Sequence, residues 1–296
     1  MTYSHIPVML SEVLEYLQAK PGNKFIDGTL GGAGYTLALA KAIGEQGKII
    51  SLDLDELAIK NAETEIKKAA LNNVILVQDN FKNLKTVVAE NFSAETKFNG
   101  IVFDLGLSSA QLDDEARGFS FKGERPLDMA FGPQAEKSTE QIVNSYPLLE
   151  LTRIFREYGE EKQAYRIAKA IIEARKKKRL KTTTDLITII ETAVPPRYFH
   201  KINPATRIFQ ALRMETNEEL KVLEETLPIA VELLAPGGRL VVVSFHSGED
   251  RIVKRFFRAA TANLKIITKK PLIPTVEETV TNPRSRSAKL RVAEKI

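Results

Sequence analysis

The chain has no cysteine. That excludes disulfides, thiolate metal sites and a cysteine nucleophile together, and it suits a reducing compartment. Long apolar runs are missing as well. None approaches the roughly 18 residues that a membrane-spanning helix needs. The N-terminal "MTYSHIPVML" has no basic region followed by a long apolar stretch. No signal peptide is therefore expected, and a cytoplasmic protein is. Histidine is scarce, with three in 296 residues. His5 and His200 are far apart and no ligand-spaced cluster exists, so no metal site is expected. Also missing is the dinucleotide fingerprint G-x-G-x-x-G, since Gly28, Gly31, Gly32 and Gly34 do not fall at its offsets.

What is present is a moderately basic chain with 43% hydrophobic residues, enough for a real core. Its net charge is +5. The segment 162–181 carries nine basic residues and one acid, Glu173. The tail from Arg251 carries twelve basic residues and three acids. Two such blocks suit a polyanionic partner, or else a solvated helix face and a loose tail.

Five short apolar runs read as strands buried on both faces: 23–27, 47–53, 72–78, 98–104 and 237–245. Helical patterns over 35–43, 55–71 and 82–90 separate the first four. This alternation predicts an open, doubly wound α/β sheet. About 130 residues then part the fourth run from the fifth, with helical patterns such as "SYPLLELTRIFREYG" and "KQAYRIAKAIIEARKKK". A structureless loop of that length is not expected inside a compact domain. The spacing therefore predicts an inserted helical domain over 107–207, recognising substrate, within a discontinuous domain of 1–106 and 208–296.

"FIDGTLGGAGYT" places four glycines between the first strand and a helix. Such a turn lets backbone approach a cofactor, or lets strand and helix pack tightly. Without the phosphate fingerprint, a cofactor lacking phosphates fits better. S-adenosylmethionine is one, and its ribose hydroxyls need an acceptor. Asp53, at the end of the second strand, is placed for that. Asp104 ends the fourth strand, and ligands in open α/β sheets sit at the carboxyl ends of strands.

Long blocks run in order through almost the whole chain: "HIPVMLSEVLEYL", "DGTLGGAGYT", "FDLGLSSAQLDDEARGFSF", "RPLDMAF", "NPATRIFQALRMETNEEL" and "SFHSGEDRIVKRFF". They resemble the RsmH (MraW) family, S-adenosylmethionine-dependent methyltransferases that modify the exocyclic N4 of a cytidine in 16S (small-subunit) ribosomal RNA. The resemblance implies a class I methyltransferase sheet (Rossmann-like, doubly wound) with an inserted all-helical domain. It implies cofactor contacts at Ala33, Gly34, Tyr35, Asp53, Phe81, Asp104 and Gln111. Three departures stand out. Ala33-Gly34-Tyr35 replaces the family's usual Gly-Gly-His, Gly248 stands where leucine is usual, and "MAF" replaces a more basic run after Asp128.

Methyl transfer to a cytosine amine needs in-line placement and acceptors for the amino hydrogens. Asp104 is the candidate catalytic anchor, although it could equally hold only the cofactor's methionine end. His246 and Asp250 lie just past the fifth strand, and His246 is either a substrate contact or a structural residue. A target base must be unstacked to enter such a pocket. Phe119 and Phe121 could stack on it or fill an interdomain core. Arg117, Lys122 and Arg125 could hold phosphates, as could Lys176 and Arg179 at a helix end. The competing readings are a nicotinamide-dependent dehydrogenase and an RNA-binding assembly factor without turnover.

Overall fold

The computed structural model describes residues 7–93, 95–107, 118–119, 123–132, 135–195 and 203–296. The chain divides into two compact units, Met1–Ala110 with Leu220–Ile296, and Gln111–Glu219.

The first unit opens with helix α1 (Leu10–Leu17) and strand β1 (Lys24–Asp27). The glycine turn leads from there into α2 (Gly34–Ile43). β2 (Lys48–Asp53), α3 (Glu56–Lys68), β3 (Val74–Gln78), α4 (Leu84–Asn91) and β4 (Phe98–Asp104) follow. The sheet order is β3-β2-β1-β4-β5-β7-β6 once β5 (Leu234–Ser244), β6 (Leu264–Ile266) and β7 (Lys289–Lys295) are added. β1 to β5 are parallel, and β7 runs antiparallel to both β5 and β6.

Neighbouring residues of each parallel strand point to opposite faces, and both faces are covered. Ile26, Ile50, Ile101 and Val242 pack on one side with Leu84, Val87, Leu223 and Leu227. Phe25, Ile49, Val102 and Val241 pack on the other with Val13, Leu17, Leu39 and Ile43. Phe25, Phe98 and Phe103 are fully buried, each worth roughly 2–3 kcal/mol of apolar burial. The chain runs outward from β1 to β3, then returns to β4 beside β1. The order reverses at β1/β4, and a ligand crevice belongs there.

The second unit is helical among its described residues. α5 (Thr139–Ser145) and α8 (Thr183–Ala193) both start with capping boxes, Ser138 with Gln141 and Thr182 with Asp185. Each box satisfies two amide groups that the first helical turn would leave bare. Between them lie α6 (Leu148–Glu157) and α7 (Ala164–Lys177), and α9 (Pro204–Thr216) follows with its proline at the start. Leu151, Ile154, Phe155, Ile167, Ile171, Leu186, Ile208 and Leu212 are buried.

The sequence put the end of the insertion at 207, inside α9. The compact unit runs on to Glu219, because α9 packs on α6 and α8. The return helix, α10 (Glu219–Leu233), then delivers β5.

The five expected strands form within a few residues of their expected bounds. β6 and β7 were not expected. The basic tail is no loose arm: after α11 (Ser247–Ala259) it folds into β6, helix α12 (Val276–Thr281) and β7. Its Arg291 is buried. No helix among the described residues is long and apolar enough to cross a membrane.

Candidate active site

The site grows from the end of β1. Asp27 is fully buried. Its Oδ1 accepts from the Thr29 N–H (3.1 Å) and its Oδ2 from the Thr36 hydroxyl (2.7 Å), which in turn lies 2.7 Å from Ser51 Oγ. Burial outweighs these donors and raises the Asp27 pKa to about 6.

The turn itself is held by β2. Leu30 N–H donates to the Leu52 carbonyl, and Gly31 N–H to Asp53 Oδ2 (2.8 Å). Asp53 Oδ1 accepts from the Asp55 N–H (2.9 Å). Burial again dominates, raising the Asp53 pKa to about 6. Two N–H groups do not exhaust a carboxylate's roughly four acceptor positions, so Asp53 retains capacity for hydroxyl donors. Ala33 ends the turn at φ 64°, the left-handed region that favours glycine. The family's usual glycine at this place has that physical reason.

Asp104 ends β4 beside β1. Its N–H donates to Thr29 Oγ1 (2.6 Å). Its Oδ1 is buried and has no hydrogen-bond partner among the described residues. Burial, then the negative charges of Asp27 and Glu249, hold its pKa well above the usual carboxylate range. Tyr35, buried in α2, reaches the same carboxyl group, and its hydroxyl donates to the Val8 carbonyl. Phe81 starts a short 3-10 turn after β3, and its ring lies 5.3 Å from that of Phe103.

Beyond β5, His246 caps α11. Its Nδ1 faces the N–H groups of Gly248 (3.1 Å) and Glu249 (3.4 Å). Glu249 Oε2 accepts from the N–H groups of Phe245 and His246. His246 Nε2 lies 3.0 Å from Glu249 Oε1, within reach of a charge pair but outside hydrogen-bond alignment. The ring caps the helix through Nδ1; the sequence had left His246 as either a substrate contact or a structural residue. Asp250 is engaged too, by the Arg291 guanidinium at 2.6 and 3.3 Å.

Of the residues singled out from sequence, Ala33, Gly34, Tyr35, Asp53, Phe81, Asp104 and His246 all lie at the carboxyl edge of the sheet. Gln111, Arg117, Phe121, Lys122, His5 and His200 lie outside the described residues. Asp250 lies in the first unit, and Phe119, Arg125, Lys176 and Arg179 belong to the second. Phe119 is buried, its ring 5.8 Å from Phe131, which is a packing role rather than a stacking platform. Arg125 is half-buried, and its backbone pairs with Thr183. Lys176 pairs with Glu173 (2.8 Å), Lys178 with Asp185 (3.1 Å) and Arg179 with Glu140 (2.7 Å), the three basic side chains being exposed. Asp27, Thr29, Thr36 and Glu249 were missed as site residues. Asp27 alone had a visible signal, an aspartate ending an apolar strand like Asp53 and Asp104. No group of His, Cys, Asp or Glu suited to a metal exists among the described residues.

The arrangement suits a ligand with a positive end for Asp104 and hydroxyl groups for Asp53. A parallel sheet that reverses at β1/β4, carries one antiparallel strand and lines its carboxyl edge with acids defines a class I methyltransferase. Within that class, the chain belongs to the MraW methylase family, whose model matches residues 2–296. It is 45% identical over 314 residues to the ribosomal RNA small subunit methyltransferase H of Heliobacterium mobile, covering 100% of both chains. The protein of the same name from Carboxydothermus hydrogenoformans is 44% identical over 313 residues, covering 100% of this chain and 99% of the relative. A solved rRNA methylase from Streptococcus thermophilus aligns over 99% of both chains, at 11% identity and a TM-score of 0.49.

Proposed function

We propose that the protein transfers a methyl group from S-adenosylmethionine to the exocyclic N4 of a cytidine in small-subunit ribosomal RNA, in the cytoplasm. The observation that carries this reading is the bare Oδ1 of Asp104, a buried acceptor at the β1/β4 switch point. Family membership and the names of the relatives support the substrate.

Bound S-adenosylmethionine supplies an electrophilic methyl group. Asp53 would hold its ribose hydroxyls, and Ala33, Gly34 and Tyr35 would form the backbone wall of its site. Phe81 and Gln111 complete the set that the family resemblance implies. Asp104 would accept from the amino hydrogens of cytosine, turning the nitrogen lone pair toward the methyl group. In-line placement of this kind is a proximity effect and supplies much of the acceleration for a delocalised amine. The helical unit would recognise the RNA, either naked or in an assembled subunit. Arg117, Arg125, Lys176 and Arg179 are its candidate phosphate contacts. His246 would support the site from behind, as the cap of α11.

The test is incorporation of labelled methyl groups into small-subunit RNA, with mass mapping of the modified cytidines. Wild-type protein should label one class of site. Asp104→Asn should lower single-turnover transfer more than RNA affinity. No incorporation by wild type into naked RNA or assembled subunits would reject the assignment. A variant with lost RNA affinity and normal chemistry would remove Asp104 from the reacting centre.

A further inference from the structure

Four carboxyl groups meet at the carboxyl edge of the sheet: Asp27, Asp53, Asp104 and Glu249. Three have donors that support the ionised form. Asp27 has the Thr29 N–H and the Thr36 hydroxyl, Asp53 the N–H groups of Gly31 and Asp55, and Glu249 those of Phe245 and His246. Asp104 differs. Its Oδ1 has no partner among the described residues. The hydroxyl beside it, Tyr35, carries a single proton, given to the Val8 carbonyl and only partly shared with the Asp104 carboxyl group. The charged groups acting on Asp104, Asp27 from β1 and Glu249 from α11, are both acidic.

We propose, building on the cofactor reading above, that Asp104 is the proton-exchanging group of the site: neutral in the empty protein, ionised when the cationic cofactor is bound, and protonated again as the methyl group leaves sulfur. The physical basis is an asymmetry of support. A desolvated carboxyl group with one bare oxygen, flanked by like charges, favours its neutral form. Burial accordingly holds Asp104 above the ordinary range. S-adenosylmethionine adds a sulfonium charge that its thioether product lacks. A cation within about 4–6 Å favours the carboxylate by roughly one to three pKa units.

The same asymmetry supplies a sink for the reaction's proton. The amine lone pair forms the new N–C bond. The C–S bond breaks, and its electron pair stays on sulfur. The methylated nitrogen is left with one proton too many, and that proton passes to the Asp104 carboxylate. Loss of the sulfonium charge raises the proton affinity of Asp104 at the same moment. No oxidant, reductant or further reactant is needed.

Calorimetry of the full-length protein in two buffers of different ionisation enthalpy counts the protons exchanged on binding. S-adenosylmethionine should release up to about one proton more than S-adenosylhomocysteine near neutral pH. Its Kd should also tighten more steeply with pH, by up to about tenfold per unit. Asp104→Asn should still bind both ligands while the difference between them vanishes. Equal proton counts for the two ligands in wild type would overturn the proposal without variants. An undiminished difference in Asp104→Asn would overturn it as well, and would move the proton to Asp27 or Asp53. Failure of either ligand to bind wild type would overturn the cofactor reading itself.

Discussion

Replacing Asp27 with asparagine should make the protein more stable at neutral pH, not less. Asp27 has a pKa raised from 3.8 to about 6, chiefly by burial. Below pH 3.8 the group is neutral in both the folded and the unfolded chain, and the folded chain keeps its full stability. As pH rises through 3.8 the unfolded chain ionises first, while the folded chain holds its proton up to about pH 6. Stability therefore falls across that window and levels off above it. A gap of about two pKa units, at 1.36 kcal/mol per unit, is roughly 3 kcal/mol. Asparagine keeps the contacts. Its Oδ1 can accept from the Thr29 N–H, and its Nδ2 can donate to Thr36 Oγ1. Thr36 can then donate to Ser51, since either oxygen of that 2.7 Å contact can be the donor. The assay is urea unfolding of wild type and Asp27→Asn at several pH values from 4 to 8. Asp53 titrates over a similar range and is coupled to Asp27, so Asp27→Asn also eases the ionisation of Asp53, which acts in the same direction. The difference curve should rise toward roughly 3 kcal/mol in favour of asparagine by pH 7. Parallel curves, or a variant that is less stable at pH 7, would refute the reasoning about this buried carboxyl group.

Asp53→Ala should weaken S-adenosylmethionine binding by one to two decades, since a hydrogen bond to an ionised partner contributes about 1.5–3 kcal/mol; unchanged affinity in calorimetry would take Asp53 out of the cofactor site. Asp250→Ala leaves the buried Arg291 guanidinium without its carboxylate and should cost about 3–5 kcal/mol in thermal or urea unfolding; a loss under 1 kcal/mol would mean that water reaches the pair. Alanine at Lys176, Lys177, Lys178 and Arg179 should flatten the log–log salt dependence of RNA binding by at most roughly three, at about 0.7 per phosphate contact, with cofactor affinity unchanged. Lys176, Lys178 and Arg179 already have acidic neighbours, so superimposable slopes would assign the run to those ion pairs alone.

The parallel strands were legible because each holds a continuous apolar run, largely buried in β1, β2 and β4 and half-buried in the edge strand β3. β7 escaped notice for the opposite reason. "KLRVAEK" interleaves charges with apolar residues, and its buried Arg291 is neutralised within the sheet. The partner, Asp250, is 41 residues away, and no local pattern announces it. Lys289 approaches the same aspartate at 3.7 Å, and Lys295 donates to the Val231 carbonyl. Part of the charge that reads along the sequence as an RNA-seeking tail, Lys289, Arg291 and Lys295, is thus spent closing the sheet. α8 was obscured by composition: "TTDLITIIETA" is rich in β-branched residues that favour strands. Its capping box, Thr182 with Asp185, was the better signal.

The glycine turn shows why its spacing matches no phosphate fingerprint. A Cβ on Gly28 would lie 2.2 Å from the Phe103 ring, and one on Gly34 would lie 2.6 Å from the Pro7 ring. Both glycines answer to packing inside the unit. Gly31 is different: it has φ 46°, and its N–H is fixed by Asp53. The turn is therefore tied to the acids of the sheet edge rather than opened toward an anion. Asp27 holds its start through Thr29, Asp53 holds its middle, and Thr29 in turn holds the backbone of Asp104. A phosphate would be repelled by the charge of Asp27 and Asp53 and would gain nothing from Asp104, whereas a cationic ligand would be drawn to the same place. The choice between a dinucleotide and a sulfonium cofactor thus rests more firmly on the aspartates ending β1, β2 and β4 than on the glycines between them.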